Sequence, residues 1–406
     1  MRIGIYGDMF VEWGGGIDFL RILLRGLNAL PNAENNKLFL VIPIKKISPS
    51  SYLKYYIKKS FNALPIKKKY VAALPKPLNL KHIETVLQKE AKLELIILRH
   101  APEKLADVLA PYQLDFILPC FYPMPIGFPI PWLGYLYDFQ HKYLPHFFTK
   151  AEITVRDLAF AEMVSSAPAI IVNARAVRKD AIEFLGANSQ KVFALPFCPL
   201  YGQEMLEGNL DKFKLPESFF LISNQFWKHK DHATAFKAMK EFFALGSNQH
   251  IHLVCTGEIH DYRFPEYANE LRQLIKQLGI EKQVHLLGYI SKEEQVLLMQ
   301  KAIAVLQPTL FEGGPGGGVV YEALARNKYV VLSDIPINRE IEDERCEFFE
   351  AGNPKDLAQK LVQTVNKGKL NKPLDKQLQQ QQTQQLASKL NEAIKFAQEN
   401  FKGISV

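Results

Sequence analysis

The chain has 406 residues, 48% of them hydrophobic and 23% charged, with a formal net charge of +8. This is the composition of a soluble globular protein, long for a single core, and it points to two domains. The charge suits anionic ligands or an anionic membrane surface without requiring nucleic acid, and four scattered cysteines with no CxxC pair exclude a zinc knuckle or a disulfide framework and suit a reducing cytoplasm.

The apolar run after Arg2 ends at Asp8 and Glu12, too short for a signal peptide, and reads as a strand. Gly14, Gly15 and Gly16 follow as a loop, and Ile17–Leu27 has helical apolar spacing. Strand, glycine loop and helix open an α/β ligand-binding unit or form a simple tight turn. Lys37–Pro43 gives a second strand. Lys54–Lys69 interleaves lysines with Tyr55, Tyr56 and Phe61, and reads either as a solvated surface excursion or as a patch for an anionic membrane or acceptor. Phe116–Tyr137 is long and uncharged, but prolines at 119, 123, 125, 129 and 131 break any spanning helix, so it reads as two buried strands with a proline-rich connection.

Strand Ala169–Asn173 and helix Ala174–Leu185 continue the alternation, which implies a largely parallel sheet. Prolines 196 and 199, Gly202 and the polar DKFKLPES interrupt it, setting a boundary between residues 1–198 and 199–385. The second half repeats the rhythm: strand Phe219–Ser223, helix Ala233–Phe243, strand Ile251–Cys255 closed by Thr256 and Gly257, helix Tyr267–Leu278, strand Val284–Leu287, and a capping box at Ser291–Glu294. The glutamine-rich Gln377–Gln385 leads into Leu386–Phe401, read as a long terminal helix.

The stretch that organises the second half is FEGGPGGGVVYEALA, Phe311–Ala325, between a buried strand Ala302–Leu306 and a helix beginning near Val319. Its five glycines permit close backbone approach, and the helix N-terminus offers N–H groups and a positive dipole end to an anion. Glu312 and Glu322 flank that loop. Carboxylates have no use beside phosphate alone but accept hydrogen bonds from hydroxyls, so the pattern points to a nucleotide sugar.

Three segments, the turn carrying Lys230, HLLGYISKEE at 285–294 and PTLFEGGPGGGVVYEALARNKYVVLSDIPINREI at 308–341, resemble the donor-binding domain of family-4 retaining glycosyltransferases of the GT-B type. The N-terminal half resembles them more loosely, through Gly14–Gly16 and YDFQHKYLPHFF at 137–148. The resemblance implies an α/β fold of two doubly wound, Rossmann-like domains facing across a cleft. Residues 1–198 would bind the acceptor, with the terminal helix 386–406 packing back on them, and 199–385 the donor. It implies that Glu312 contacts the donor sugar and Glu322 the ribose, that Lys230 and the Gly316, Gly317 and Gly318 amides hold the diphosphate, and that Gly257 and the backbone at Tyr289 and Ile290 meet the nucleotide.

There are departures. Gln225 stands where the family carries an arginine, so Lys230 becomes the principal cation; His229 and Lys228 read as surface residues. Nine residues separate Glu312 from Glu322, a longer loop than the family's usual one. Tyr137 stands at the place of a family histidine beside Asp138, leaving Asp138 and His141 as acceptor-side candidates, His141 equally readable as a structural histidine. No metal-ligand cluster is present, and no cofactor is implied beyond the donor itself.

The expected reaction is retaining transfer of a hexose from a nucleoside-diphosphate sugar to a glycan, lipid-linked or other hydroxyl acceptor. The expected setting is the cytoplasm, or the inner face of a membrane met through Lys54–Lys69. The rival readings are a nucleotide-sugar epimerase and a binding protein without catalysis. No nucleic-acid module accompanies the basic residues.

Overall fold

A computed structural model describes residues 1–12, 14–43, 79–98, 105–198, 208–246, 248–368, 370 and 376–401. The basic stretch Lys54–Lys69 lies outside them. Short runs of β-branched and aromatic residues form two parallel sheets, with strands buried on both faces as near-continuous apolar sequence requires.

The first sheet contains β1 (Arg2–Tyr6), β2 (Lys37–Pro43), β3 (Leu93–Leu98), β4 (Phe116–Cys120), β5 (Trp132–Leu136), β6 (Ala169–Val172) and β7 (Val192–Ala194), in the spatial order β3-β2-β1-β4-β5-β6-β7. Helices α1 (Gly14–Asn28), α2 (Leu80–Leu87), α3 (Leu105–Leu109), α4 (Gln140–Tyr143), α5 (Lys150–Ser166) and α6 (Arg175–Leu185) belong to this half. The second sheet contains β8 (Ser218–Ser223), β9 (Ile251–Thr256), β10 (Val284–Gly288), β11 (Ala304–Gln307), β12 (Tyr329–Ser333) and β13 (Cys346–Phe349), in the order β10-β9-β8-β11-β12-β13. It carries α7 (His232–Ala244), α8 (Tyr267–Leu278), α9 (Lys292–Lys301), α10 (Gly317–Ala325) and α11 (Pro354–Lys367).

In both sheets the order reverses once, between β1 and β4 and between β8 and β11. Ligands of doubly wound sheets bind outside the carboxyl ends of the strands at that crevice. Each sheet has apolar clusters on two faces, one of them built with Ile5, Leu24 and Leu40 and its counterpart with Phe39, Ile117 and Ile170. The last helix, α12 (Lys376–Asn400), lays Leu386, Leu390, Ile394 and Ala397 into the first of these, against α1. Its glutamine-rich opening is helical as well.

Two helices start earlier than the apolar spacing indicates. Gly14–Gly16 lie in the first turn of α1 instead of a loop before it, and α10 begins at Gly317, two residues ahead of Val319. Glycines carry no apolar signal, so periodicity dates a helix only from its first large side chain.

The halves meet along the cleft. Glu340, after β12, accepts the backbone N–H of Arg175 (2.8 Å) and of Ala176 (2.7 Å), so a side chain from one half caps α6 of the other. The rings of Tyr143 and Phe311 lie 5.5 Å apart, those of Phe147 and Phe264 5.0 Å. Among the described residues no helix is long and apolar enough to cross a membrane.

Candidate functional site

Two loops at the carboxyl ends of the central strands β8 and β11 build the site. The first, residues 224–231, ends in a short 3-10 turn, Lys228–Lys230, before α7. The second, residues 308–316, is the glycine loop leading into α10. His229 joins them, because its carbonyl accepts Leu310 N–H (2.8 Å) and the Thr309 hydroxyl (3.2 Å).

That junction brings Lys230 Nζ to Glu312 Oε1 at 2.5 Å, with only 14% and 8% of the two side chains exposed. Gln307 Nε2 donates to the same oxygen at 2.8 Å, and Gln307 Oε1 accepts from Asn224 Nδ2 at 2.5 Å. Glu312 is thereby held by one cation and one neutral amide. Its Oε2 faces Gly317, where an added Cβ would stand 3.0 Å from it, and Gly317 has φ +64, which suits glycine.

The N-cap of α10 is Gly316, with no side-chain cap, so the helix N-terminus is left for another acceptor. Asn338 supports the loop from behind: its Oδ1 accepts Gly316 N–H (2.8 Å) while its Nδ2 donates to the Ser333 carbonyl (2.9 Å).

Glu322 lies on α10 and is 3% exposed. Arg326 Nη1 donates to its Oε2, and Lys292 Nζ stands 3.5 Å from its Oε1. Burial alone would raise this carboxyl, but Lys292, Arg326 and Arg21 outweigh it and hold it below the usual carboxylate range. Oε1 itself has no hydrogen-bond partner among the described residues.

Of the remaining donor-side candidates, Gly257 takes φ +138 and packs so tightly that a Cβ there would lie 2.0 Å from the Asn224 carbonyl oxygen. It holds β9 against the 224–225 turn. Gln225 is exposed on that turn, Ile290 is partly buried, and Tyr289 is 79% exposed, so its ring takes no part in the core. His229 corrects its surface reading. It is 4% exposed and stays neutral, pushed down to about 2 by burial, with Lys230 and Arg263 adding to the effect.

On the acceptor side, Asp138 follows β5 and faces the glycine loop: a Cβ on Gly313 would lie 2.8 Å from the Tyr137 carbonyl oxygen and 3.6 Å from Asp138 Oδ2. Asp138 Oδ1 accepts from Arg156 Nη2 (2.8 Å) and from Gln140 N–H (2.9 Å). Tyr137 stacks on Phe121 at 5.0 Å, with the Arg156 guanidinium 4.9 Å from its ring centre. His141 is placed otherwise. It is 1% exposed, its Nε2 pairs with Asp157 Oδ1 at 2.8 Å, and the rings of Phe139, Phe148 and Phe160 surround it. Burial lowers its pKa against the opposing pull of Asp157. Its Nδ1 is buried without a hydrogen-bond partner among the described residues. Gly14–Gly16 open α1, whose Asp18 lies 3.6 Å from Lys292 across the cleft.

Sequence reasoning missed Gln307, Asn224 and Asn338. The one available signal was polarity at the end of an apolar run, as in AVLQ.

Residues 211–381 match the family model described as Glycosyl transferases group 1. The O-antigen chain mannosyltransferase RfbU of Salmonella typhimurium is 30% identical over 128 residues, 32% of this chain and 33% of that protein, so the match spans about a third of the relative's length. Among solved structures, sucrose-phosphate synthase from Thermosynechococcus elongatus superposes with a TM-score of 0.58 at 14% identity, over 99% of this chain and 95% of that one. HepE from Anabaena, solved in complex with UDP, gives 0.54 at 16% identity, over 100% and 97%. These likenesses show a shared fold.

Proposed function

We propose, from the match of residues 211–381 to the glycosyl transferases group 1 model and from the fold shared with the solved structures, that the chain transfers a hexose from a nucleoside-diphosphate sugar to an acceptor hydroxyl, with retention at the anomeric carbon and without a metal. The half formed by residues 1–198 and the terminal helix takes the acceptor; residues 199–385 take the donor. The observation that carries this reading is the Lys230–Glu312 pair set against an uncapped, glycine-rich helix N-terminus at the point where the strand order reverses.

In this reading Lys230 and the first turn of α10 at Gly318 receive the diphosphate, the Gly316 and Gly317 N–H groups being engaged by Asn338 and Gly314, and Glu312, as Lys230 turns toward phosphate, accepts hydrogen bonds from the sugar hydroxyls. Glu322 accepts the ribose hydroxyls at its unpartnered Oε1. The bond from the anomeric carbon to the diphosphate oxygen breaks while the acceptor oxygen bonds to that carbon on the same face. The acceptor proton passes to the departing phosphate oxygen. Asp138, fixed through Oδ1 by Arg156, keeps Oδ2 toward the glycine loop to orient the acceptor hydroxyl. Gly257 shapes the 224–225 turn, and the backbone at Tyr289 and Ile290 meets the base. His141 has no part in the reaction.

We place the reaction in the cytoplasm, with a glycan or lipid-linked acceptor and membrane contact through Lys54–Lys69. The mannosyl transfer named for RfbU and the UDP bound to HepE make mannosyl and uridine-diphosphate sugars the first donors to try. The test is release of nucleoside diphosphate from a donor panel: one donor should turn over, at a rate lowered at least about a hundredfold by Lys230→Met. Conversion of the donor sugar to its epimer, or binding without turnover under any acceptor mixture, would overturn the proposal.

A further inference from the structure

A file of charges of alternating sign crosses the cleft beside Glu322. Glu90 Oε1 accepts from Arg21 Nη2 (2.7 Å), and Arg21 Nη1 reaches Asp18 Oδ1 (3.4 Å). Asp18 Oδ2 lies 3.6 Å from Lys292 Nζ, which lies 3.5 Å from Glu322 Oε1, while Arg326 closes the file on Oε2. Asp18 and Arg21 belong to α1 in one half; Lys292 and Glu322 belong to α9 and α10 in the other, where Arg326 is the C-cap of α10.

Two features of this file are unusual. Glu322 Oε1 is buried with no hydrogen-bond partner among the described residues, so only the ion pair with Lys292 offsets its desolvation. The Lys292 ammonium beside it stops short of a normal hydrogen bond to either carboxylate, although 47% of its side chain is exposed and free to adjust. A buried carboxylate oxygen and an ammonium thus face each other at 3.5 Å, in ion-pair contact but without a closed hydrogen bond. A vicinal diol supplies both complements, since one hydroxyl donates to the carboxylate while the oxygen of its neighbour accepts from the ammonium.

We propose that Lys292 is a specificity-determining residue of the donor site, held in place across the cleft by Asp18, and that with Glu322 it brackets the 2′,3′-diol of a ribonucleotide. This rests on reading the glycine loop as the donor site. It goes further in assigning Lys292 and Asp18, and in making the site selective for ribose over deoxyribose. A hydrogen bond to a charged group is worth about ten- to a hundredfold in binding, so removing one hydroxyl should show a factor of that size. Because Asp18 lies on the opposite half, the bracket is complete only when the two halves are together, which couples nucleotide binding to closure.

The test is calorimetric titration of UDP, ADP and GDP against their 2′-deoxy forms, using the full chain and its Lys292→Met and Lys292→Arg variants, with thermal melting of each unliganded protein as the folding control. For whichever base binds, the wild type should prefer the ribo form by at least about tenfold. That preference should fall below about threefold in Lys292→Met and largely return in Lys292→Arg, which restores a donor. Equal binding of ribo and deoxyribo forms by the wild type, or an unchanged preference in Lys292→Met, overturns the assignment of Lys292 and leaves the donor site standing. Failure of the wild type to bind any nucleoside diphosphate overturns both.

Discussion

Replacing Lys230 by Met separates what the Lys230–Glu312 pair does for the fold from what it does for a ligand. Glu312 is 7% exposed, and its Oε1 accepts from Lys230 at 2.5 Å and from Gln307 at 2.8 Å. Without the lysine, a buried carboxylate keeps one neutral donor. Breaking a buried pair costs about 3–5 kcal/mol, and the remaining Gln307 bond together with the 14% exposure of Lys230 places this case near the low end, about 3 kcal/mol. Adding Glu312→Gln removes the stranded charge and should return about 2 kcal/mol, a coupling within the range of contacting pairs. Urea unfolding of the wild type, both single variants and the double variant, followed by tryptophan fluorescence, measures the cycle; Trp227 lies three residues from Lys230. Nucleoside diphosphate binding should be lost with Lys230→Met and stay lost in the double variant. A Lys230→Met protein as stable as the wild type, or a double variant that binds nucleotide again, would refute the reasoning.

Other consequences are equally open to measurement. Gly257→Ala sets a Cβ 2.0 Å from the Asn224 carbonyl at φ +138, and should lower unfolding free energy by about 3 kcal/mol while displacing the 224–225 turn. Glu340→Ala removes both acceptors at the N-terminus of α6; a lost cap costs about 1 kcal/mol, and small-angle scattering should show a larger radius of gyration as the halves separate. His232 is fully buried against Phe226, with no hydrogen-bond partner on either ring nitrogen among the described residues, and burial pushes it from 6.5 down to about 3, helped by Lys230. A depressed folded value means the unfolded chain binds the proton first, so this neutral histidine's stability is present above pH 6.5 and lost as pH falls toward 3. His232→Phe should therefore reduce the pH slope of stability between about pH 6 and 4 by about 1.4 kcal/mol per unit, read from urea midpoints.

Periodicity and composition made the two parallel sheets legible, because strands such as Phe219–Ser223 and Ala169–Val172 are buried on both faces and carry apolar runs. Helices near the middle of each half were harder to see. In α5 the outer face carries Val155 and Leu158, both 66% exposed, so apolar spacing is blurred. Helix α2 and strand β3 follow the basic stretch and went unread, although Pro75, Pro77 and the N-cap Asn79 mark the start of α2. The loop around Gly313–Gly318 was legible because glycine density is a local property of the chain. Its supports were not: Gln307, Asn224 and Asn338 reach Glu312 and Gly316 from separate strands and loops, and only the folded sheet brings them together. His141 was ambiguous for the same reason, since its partner Asp157 sits one helix later. Burial of His229 depends on contacts with Thr309 and Leu310, about eighty residues away along the chain.

The central claim is positional, and a crystal structure with a nucleoside diphosphate bound tests it most directly. The account predicts the phosphates at the first turn of α10 beside Gly318 and within reach of Lys230 Nζ, the ribose diol at Glu322 Oε1, and Glu312 turned toward where the donor sugar begins. Phosphates bound elsewhere, with Lys230 still on Glu312 and Glu322 Oε1 untouched, would contradict it.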